Sequence, residues 1–469
     1  MIDLRERIAE RTATWAKSLV AKRMPHSDSN PYLEGPYAPV SVETTETDLR
    51  ITGELPVELG GLLTRIGPNP ISVANPAAYH WFTGDGMVHG VRLREGKAQW
   101  YRNRYIGTDS VNKAFGRPKI AGRRRGVLDV VNTNVIGHGG RYFALVEAGS
   151  PPVELDCNLE SIRQGLFDSD LSLPYAAHPH LDPTSGKLHA ICYDGASGRV
   201  YYIVVDAACK VERIVNLASI TDRPMIHDCA ITSTGVMILD LPVTFSRKAL
   251  LEGIGMPYRW NPKRAARVGF LPFDGEEKDA RWYSVDPCYV FHTCNAFDLP
   301  GGGAVVDVVV RDTMFAHKTD GPDSTTISFE RWTLDPSSRR VLRSVRNQEP
   351  QEFPRFDERM TGKPYRYGFT VGSTDDAQKL IRYDVESGAT VEHHYGPSKH
   401  SSEAVFVPRA SDAAEGDGWL LSYVYDKTTD KTDVVVLNAS DLAGAPAAIV
   451  HLPVRVPAGF HGNWIPDPS

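Results

Sequence analysis

Residues 177–187 read AHPHLDPTSGK, and this stretch combines the two features that decide the fold. Its second half, Asp182–Lys187, contains an aspartate, a proline and a glycine, residue types that favour a tight turn between antiparallel strands. Similar turn signals separate short β-branched and aromatic runs at Arg94–Lys97, Asp335–Ser338 and Asp384–Gly388. The pattern predicts an all-β meander, which a sandwich, a barrel or a propeller could each provide.

The first half of the stretch places a histidine in an apolar setting, and the chain repeats this feature. Such segments contain His178, His227, His292 and His461. The first two intervals are 49 and 65 residues, and a four-stranded propeller blade is of that order, roughly 40–50 residues. If each histidine begins the inner strand of a different blade, all four meet on the central axis. A sandwich has no such common point, so the spacing predicts a propeller.

Three glutamates lie in equally apolar settings, at Glu147, Glu352 and Glu403. Buried histidines and carboxylates cost free energy unless they are paired or bind an ion. A metal held by imidazoles, with carboxylates hydrogen-bonded to the far ring nitrogens, would satisfy both groups. Imidazole suits zinc, copper, iron and nickel alike, so the residues leave the metal open. The alternative is a set of separate, satisfied core histidines.

Composition excludes some classes of function. The chain has 469 residues with 52 basic and 58 acidic side chains, a net charge of −6, which gives no reason to expect a nucleic-acid partner. The six cysteines form no Cys-x-x-Cys pair. We find no signal peptide and no apolar run long enough for a membrane span. A cytoplasmic protein is therefore expected.

The sequence pattern changes near residue 35. Residues 3–22 are predicted to form an amphipathic helix within a lead-in of residues 1–34, with a basic face suited to a packed helix or to peripheral membrane contact. Residues 35–469 are predicted to form a single propeller domain. Two long inserts near residues 107–126 and 244–270 are expected to cap one face of the propeller.

Several motifs along nearly the whole chain are similar, in order, to those of carotenoid cleavage oxygenases. The matching segments are Gly67–Pro70, Trp81–Met87, Asn132–Asn134, Ala177–His180, Met225–Asp228, Val290–His292, Gly362–Gly368 and His461–Gly462.

This resemblance implies a seven-bladed β-propeller with a helical and loop cap over the face that contains the metal. It implies Fe²⁺ bound by His178, His227, His292 and His461, with Glu147, Glu352 and Glu403 as the outer carboxylates. Thr133 falls where members carry a small β-branched residue beside the open metal position. The reaction implied is cleavage of a C=C bond by O₂ into two carbonyl products, with a hydrophobic polyene as the substrate in an apolar tunnel and no organic cofactor.

One residue bears on the substrate. Members that cleave stilbenes or phenylpropenes carry a lysine directly before the first outer glutamate, where it can meet a phenol. Here that position is Val146, which favours a carotenoid or apocarotenoid. A stilbene-cleaving enzyme of the same fold and a propeller that binds lipid without catalysis are the alternatives.

Three neighbours of the candidate ligands allow other readings of the site. The family pattern places the ligand at His178 and not at His180. Cys229 and Cys294 each lie two residues after a histidine, which would put them on the same face of a regular strand. A mixed His/Cys site is conceivable, but we favour buried packing for both thiols.

Overall fold

The computed structural model describes residues 26–122, 129–195, 197–252, 254–318, 320–373 and 377–467. Nearly all regular structure in these ranges is β, built from short antiparallel meanders arranged like the blades of a propeller. The all-β, propeller-like fold expected from the histidine spacing is therefore confirmed. The helix expected over residues 3–22 lies outside the described residues.

The elements follow in chain order. The first strands are β1 (Thr45–Glu46), β2 (Arg50–Gly53), β3 (Gly61–Pro68), β4 (Gly86–Arg94), β5 (Lys97–Tyr105), β6 (Ala121–Gly122), β7 (Asn134–His138), β8 (Arg141–Leu145), β9 (Val153–Leu155), β10 (Ser161–Gln164), β11 (His180–Leu181), β12 (Leu188–Tyr193), β13 (Val200–Val205) and β14 (Val211–Asn216). Next come β15 (Cys229–Ile231), β16 (Gly235–Asp240), β17 (Val243–Phe245), β18 (Tyr258–Trp260), β19 (Ala266–Pro272), β20 (Arg281–Val285), β21 (Tyr289–Asp298), β22 (Ala304–Arg311), β23 (Ile327–Asp335) and β24 (Arg340–Asn347). The last are β25 (Gln351–Phe356), β26 (Tyr367–Ser373), β27 (Gln378–Asp384), β28 (Thr390–His394), β29 (Lys399–Ser401), β30 (Val405–Pro408), β31 (Gly418–Asp426), β32 (Lys431–Asn438), β33 (Ala448–His451) and β34 (Trp464–Pro466). The helices are α1 (Asp109–Ala114) and α2 (Arg247–Leu251), with 3-10 turns at Pro31–Leu33, Gly35–Tyr37, Pro76–Ala78, Trp81–Thr83, Glu277–Asp279, Glu358–Met360 and Ala439–Asp441.

Most sheets are meanders of consecutive strands. β11 to β14 and β25 to β28 each form a four-stranded sheet in chain order, and β7 to β10 do so with β6 added at the edge. The strands β15, β16, β19 and β20 are joined to the meander β21 to β24 in an eight-stranded sheet. The joint is a single parallel pair, Ser284 with Arg340.

Two sheets are completed by strands from distant parts of the chain. β34 pairs with β3, so that Trp464 and Ile465 lie opposite Leu63 and Leu62. β2 likewise pairs with β33 at the edge of the sheet that contains β30 to β32. The inner strands contact one another in turn: β3 with β7, β11 with β15, β15 with β21, β21 with β25, β25 with β30 and β30 with β34. The pairing of β34 with β3, and a hydrogen bond from Asn134 of β7 to the carbonyl of Ala177 just before β11, complete the ring around a central axis.

The core lies between neighbouring sheets, and the β12 sequence LHAICY shows why. All six of its residues are buried, because both faces of the strand are covered. Ile191 and Tyr193 pack into one apolar cluster, whereas Leu188, Ala190 and Cys192 pack into another on the opposite face. The two-residue period of a strand thus divides one apolar run between two interfaces.

The four turns expected from sequence all join consecutive antiparallel strands. In the turn between β11 and β12, Oδ1 of Asp182 accepts a hydrogen bond from the N–H of Thr184 at 2.9 Å. Gly186 follows at a φ of 68°, which glycine adopts without strain. The aspartate and glycine of the motif therefore do what the sequence predicts.

Each of the two predicted inserts contains one α-helix among the described residues. α1 lies in the insert near residues 107–126 and is capped by Thr108, and α2 follows β17 and is capped by Ser246. β17 and β18 pair as a hairpin outside the larger sheets. The expected insert 244–270 runs too far, because β19 returns to the sheet at Ala266. Neither these helices nor any other described helix has the length and apolar character required to cross a bilayer.

Ending the chain at Asn463 is expected to lower the free energy of unfolding while keeping all four histidines. The change deletes β34 and with it Ile465, which is buried, and loss of a buried aliphatic side chain costs about 2–5 kcal/mol. Thermal unfolding followed by circular dichroism measures the effect. Ending the chain at Asp467 is the control, since it keeps β34. Equal midpoints for the two truncations would show that ring closure does not depend on this strand.

Candidate metal centre

The four histidines predicted from sequence converge on one point. The Nε2 atom of His227 lies 3.2 Å from that of His178 and 3.1 Å from that of His292. The Nε2 atoms of His292 and His461 are also 3.1 Å apart. One donor nitrogen of each ring lies within 4.8 Å of all the others. The four imidazoles extend to this point from four different inner-strand segments.

This arrangement fits a metal ion. Imidazole nitrogens bind metals such as zinc at about 2.0–2.1 Å. Two such ligands at right angles would lie about 3.0 Å apart, and two at a tetrahedral angle about 3.4 Å apart. The observed Nε2 distances of 3.1–3.2 Å fall in this range. Buried nitrogens directed at each other without an ion would leave lone pairs facing lone pairs, so an ion accounts for the geometry.

Three of the four rings are oriented by carboxylates at the opposite nitrogen. The Nδ1 atoms of His227 and His292 lie 2.6 Å from Glu147 and 2.7 Å from Glu352. The corresponding contact between His461 and Glu403 is longer, at 3.3 Å. A proton on each Nδ1 leaves the Nε2 lone pair free for a metal. Within the described ranges, His178 forms no comparable bond to a carboxylate.

The partners of Glu147 and Glu352 differ in charge. Tyr193 donates a hydrogen bond to Oε2 of Glu147 at 2.8 Å, so this carboxylate has a neutral partner. Glu352 instead accepts from the guanidinium of Arg311 at 3.3 Å and from the N–H of Phe353 at 2.8 Å. Burial alone would raise the pKa of Glu352, but His292, Arg311 and this N–H lower it to about 2. Glu352 is therefore an anion at neutral pH.

Glu403 is held between a guanidinium and a glycine. Arg355 donates to it at 3.4 Å, and the N–H of Gly462 donates at 2.6 Å. Burial opposes ionisation, yet Arg355 and His461 lower the pKa of Glu403 to about 2. A Cβ at residue 462 would lie 1.9 Å from the carbonyl oxygen of Thr64, so only glycine permits this close approach.

The environment keeps two of the imidazoles neutral. Burial, followed by repulsion from His461 and His227, holds the pKa of His178 well below its usual value. Burial also lowers the pKa of His461 to about 4, against the opposing effect of Glu403. Neutral imidazole is the form that binds a metal. At His227, burial is outweighed by Glu147, which raises the pKa, so metal binding there competes with a proton.

An apolar cavity of about 300 Å³ opens onto the centre and is lined by His227, His292 and His461. Its walls are largely aromatic and include Trp81, Phe82, Phe291, Phe353 and Phe460. The ring of Phe353 stacks on His292 with centroids 5.5 Å apart. Phe353 has a φ of 56°, an uncommon conformation for a bulky residue, at the irregularity in β25 between Glu352 and Arg355.

Thr133 and Val146 also line this cavity. The hydroxyl of Thr133 donates to Oδ1 of Asn132 at 3.0 Å, and its carbonyl accepts from the N–H of His461 at 3.2 Å. Thr133 is therefore tied directly to one histidine segment. Val146 lies beside Glu147 and is partly buried against an apolar cluster. All the candidate site residues thus lie at the centre or on the cavity next to it.

A family model described as retinal pigment epithelial membrane protein matches residues 37–466. A carotenoid cleavage oxygenase from Mycobacterium tuberculosis is 39% identical over 493 aligned positions, covering 93% of this chain and 98% of that protein. The chain belongs to this carotenoid oxygenase family. It is accordingly an enzyme of the dioxygenase type, as the motifs indicate.

The solved structures similar to this one include a lignostilbene dioxygenase and an apocarotenoid oxygenase. The lignostilbene dioxygenase of Pseudomonas brassicacearum has a TM-score of 0.83 and 27% identity, covering 94% of this chain and all of that chain. A cobalt-substituted Synechocystis apocarotenoid oxygenase has a TM-score of 0.80 and 25% identity, covering 91% of this chain and 97% of that one. A cobalt-substituted relative agrees with a metal-dependent family.

The neighbouring residues considered in the sequence lie apart from the histidine quartet. Nε2 of His180 is bonded to Asp228 at 2.9 Å. Cys294 faces β25, as His292 does through Glu352, so the two side chains lie on the same side of β21. Its thiol contacts the carbonyl of Arg355 at 3.6 Å. The thiol of Cys229 contacts the carbonyl of His178 at 4.0 Å.

Sequence reasoning missed the groups that hold the carboxylates, namely Tyr193, Arg311 and Arg355. Arg311 had a weak signal, since it ends the apolar strand AVVDVVVR, where a charged residue needs a partner. Tyr193 and Arg355 had no signal that separates them from other strand residues. Their pairing depends on contacts between different sheets.

Replacing Glu352 by Gln is expected to weaken metal binding about 10–100-fold, because outer carboxylates fix the orientation of ligating imidazoles. Competition between metal-loaded protein and a chelator measures the affinity. Glu330→Gln is the matched control, since Glu330 is also buried and bonded to an arginine, Arg343, but lies outside the centre. Equal affinity in both variants would mean that Glu352 serves packing alone.

Proposed function

We propose that the protein is a non-haem Fe²⁺ dioxygenase that cleaves a C=C bond of a carotenoid or apocarotenoid with O₂ to give two carbonyl products. The observation that carries this proposal is the convergence of four imidazole Nε2 atoms at the edge of an apolar, aromatic cavity. Family membership gives the reaction type. The Mycobacterium relative is named as a carotenoid cleavage oxygenase.

We propose His178, His227, His292 and His461 as the ligands of the iron and Glu147, Glu352 and Glu403 as the groups that orient three of them. When bound, ferrous iron would supply the redox chemistry of O₂. The donor set supports a divalent transition metal, since neutral imidazoles suit iron as well as zinc or copper. The three carboxylates and the guanidinium groups of Arg311 and Arg355 adjust the charge around the ion.

The residues of the cavity would bind and orient the substrate. A conjugated polyene is flat and apolar, and the aromatic walls formed by Phe82, Phe291 and Phe460 offer it apolar contact that water cannot match. The hydroxyl of Thr133 is engaged by Asn132, so its contribution to the cavity is steric. Excluding water from the centre would favour reaction with O₂ over side reactions.

Val146 supports a polyene over a phenol. Its position on the cavity wall beside Glu147 is where a phenol-binding cation would act. Burying a phenol hydroxyl without a partner costs about 1–3 kcal/mol, roughly 5- to 150-fold in affinity. The similarity to a lignostilbene dioxygenase favours the stilbene alternative. A lipid-binding protein without catalysis is the third candidate, and metal content separates it from the other two.

The proposal extends to the architecture, as seven blades in a single domain of residues 35–469 under a cap of loops and short helices. Dividing the eight-stranded sheet at its one parallel pair leaves β15 and β21 as inner strands of separate blades. We assign β17, α2 and β18 to this cap, because Met256 and Tyr258 of the same insert line the cavity.

A cytoplasmic location with peripheral membrane contact completes the proposal. Polyenes are almost insoluble in water, so the cavity must receive them from a membrane or a micelle. Leu251 at the end of α2 is 71% exposed, in the same insert that lines the cavity. The basic amphipathic pattern of residues 3–22 adds a second contact of this type.

Iron-loaded protein is expected to show a higher kcat/KM for an apocarotenal than for resveratrol, with products identified by mass spectrometry. Val146→Lys should shift the ratio toward resveratrol by supplying a donor for the phenol, and Val146→Met is the control of similar length without charge. Zinc-loaded protein should be inactive, because zinc has no redox chemistry. A tenfold preference of the unmodified enzyme for resveratrol would replace the polyene proposal by the stilbene alternative.

In flotation with lipid vesicles, the full chain is expected to rise with the lipid. Deleting residues 1–25 or introducing Leu251→Ser should each reduce the bound fraction, because each removes apolar contact with the bilayer. Lys248→Gln, a polar change in the same helix, is the control for α2. If the full chain and all variants stay in the soluble fraction, membrane contact is wrong and substrate must arrive another way.

A further inference from the structure

Asp228 is a buried carboxylate directly after His227, and its side chain is 3% exposed. Oδ1 accepts hydrogen bonds from Nε2 of His180 at 2.9 Å and from the N–H of Cys229 at 2.7 Å. Oδ2 accepts from the N–H of Thr293 at 2.8 Å, and the Thr293 hydroxyl shares its one proton between Oδ2 at 3.0 Å and the carbonyl of Cys229 at 2.9 Å. Oδ1 therefore has two donors, and Oδ2 has one N–H and a shared hydroxyl, which together satisfy the carboxylate.

The group His180, Asp228 and Cys229 has the donor types of a second metal site. The hydrogen bonds that these three residues form indicate that they do not bind a metal. Both oxygens of Asp228 already accept hydrogen bonds, and Nε2 of His180 donates to one of them. The thiol of Cys229 contacts the carbonyl of His178. A metal would have to break these bonds, so the group is a hydrogen-bonded assembly.

The three residues joined by this carboxylate come from the three segments that carry His178, His227 and His292. His180 and Asp228 are 48 residues apart in sequence, and Asp228 and Thr293 are 65 apart. Each is one or two residues from a histidine of the centre. The carboxylate therefore ties three different inner-strand segments together beside the centre.

The backbone of β21 is shaped for this contact. The pairing of β21 with β22 shifts register between Val290 and Thr293 and again between Thr293 and Ala296. Bulges of this kind redirect backbone groups and often lie next to active sites. Here the N–H of Thr293 bonds to Asp228, while the preceding side chain, His292, points to the centre.

The assembly matters most for the position of His178. The other three histidines each have a glutamate at Nδ1, whereas none of the described carboxylates bonds to His178. The segment of His178 is instead connected through His180, two residues further on. Asn134 adds a second tie, because its amide donates to the carbonyl of Ala177 at 2.9 Å.

We propose that Asp228 is a positioning residue: with His180 and Thr293 it forms a clip that sets the spacing of the segments carrying His178, His227 and His292. The other three histidines are each held by a carboxylate at Nδ1. The clip holds the segment of His178 instead. This inference rests on the four-histidine metal centre proposed above. Without the carboxylate, the segments can separate and the imidazoles no longer meet at one point.

The test is titration of the metal-free full chain with Co²⁺, followed by its visible absorption bands and by competition with a chelator. The bands report the geometry of the bound ion. Asp228→Asn is expected to weaken binding about tenfold, the lower end of the usual effect of outer groups, and to shift the bands at saturation. The amide places an N–H against one pair of donors, which breaks the clip. Thr293→Val should act in the same direction but less strongly.

Two control variants are expected to behave as the unmodified chain does. Thr293→Ser retains the hydroxyl, so its Co²⁺ affinity and absorption bands should not change. Asp240→Asn changes a carboxylate that is equally buried but bonded to Arg264 and Arg267 away from the centre, and it should leave both measurements unchanged. If Asp228→Asn does not fold, the comparison of Thr293→Val with Thr293→Ser decides.

Unchanged affinity and bands in both Asp228→Asn and Thr293→Val would overturn the clip while leaving the metal centre standing. An equal loss in Asp240→Asn would also overturn it, since the effect would then reflect general destabilisation. His227→Ala distinguishes failure of the clip from failure of the four-histidine metal centre. If that variant binds Co²⁺ as the unmodified chain does, the four-histidine centre itself is wrong, and the clip fails with it.

Discussion

Four imidazole nitrogens lie within 4.8 Å of one another, and few folds can bring them so close. Consecutive histidines are 49, 65 and 169 residues apart, so local structure cannot bring them together. Only a ring of inner strands, held by contacts between neighbouring sheets, supplies a common point. The apolar runs that build the sheets and the polar residues that build the centre are therefore parts of one requirement. The close packing of the sheets keeps the imidazoles at a fixed spacing.

The charges around the centre are graded. Glu352 and Glu403 each accept a hydrogen bond from a guanidinium, whereas among the described residues the partner of Glu147 besides His227 is the phenol of Tyr193. Glu147 therefore keeps more of its negative charge available to His227, which also has the shortest contact to its carboxylate. The imidazoles are chemically alike in sequence but not in their surroundings. Such differences can make one ligand a stronger donor than its neighbours.

Much of this was predictable from sequence. Turns with Asp and Gly gave the meanders, and histidines in apolar segments gave the central axis, because a buried polar group in a strand needs a reason. The residues that hold the glutamates were not predictable, because Arg311 and Arg355 meet them across different sheets. The register shifts of β21 around Thr293 were not predictable either. Bulges leave little trace in a single sequence, and they decide which side chains face the axis.

The order of the parts along the chain affects how the protein is made. His461 follows the other three histidines, and β34, which completes the first sheet, begins three residues later. During synthesis the earlier blades leave the ribosome with an open seam and an incomplete set of donors. The full set of four donors therefore exists only after translation has passed His461. A nascent chain interrupted before that point would expose the edge of β3, where chaperones or proteases can recognise it.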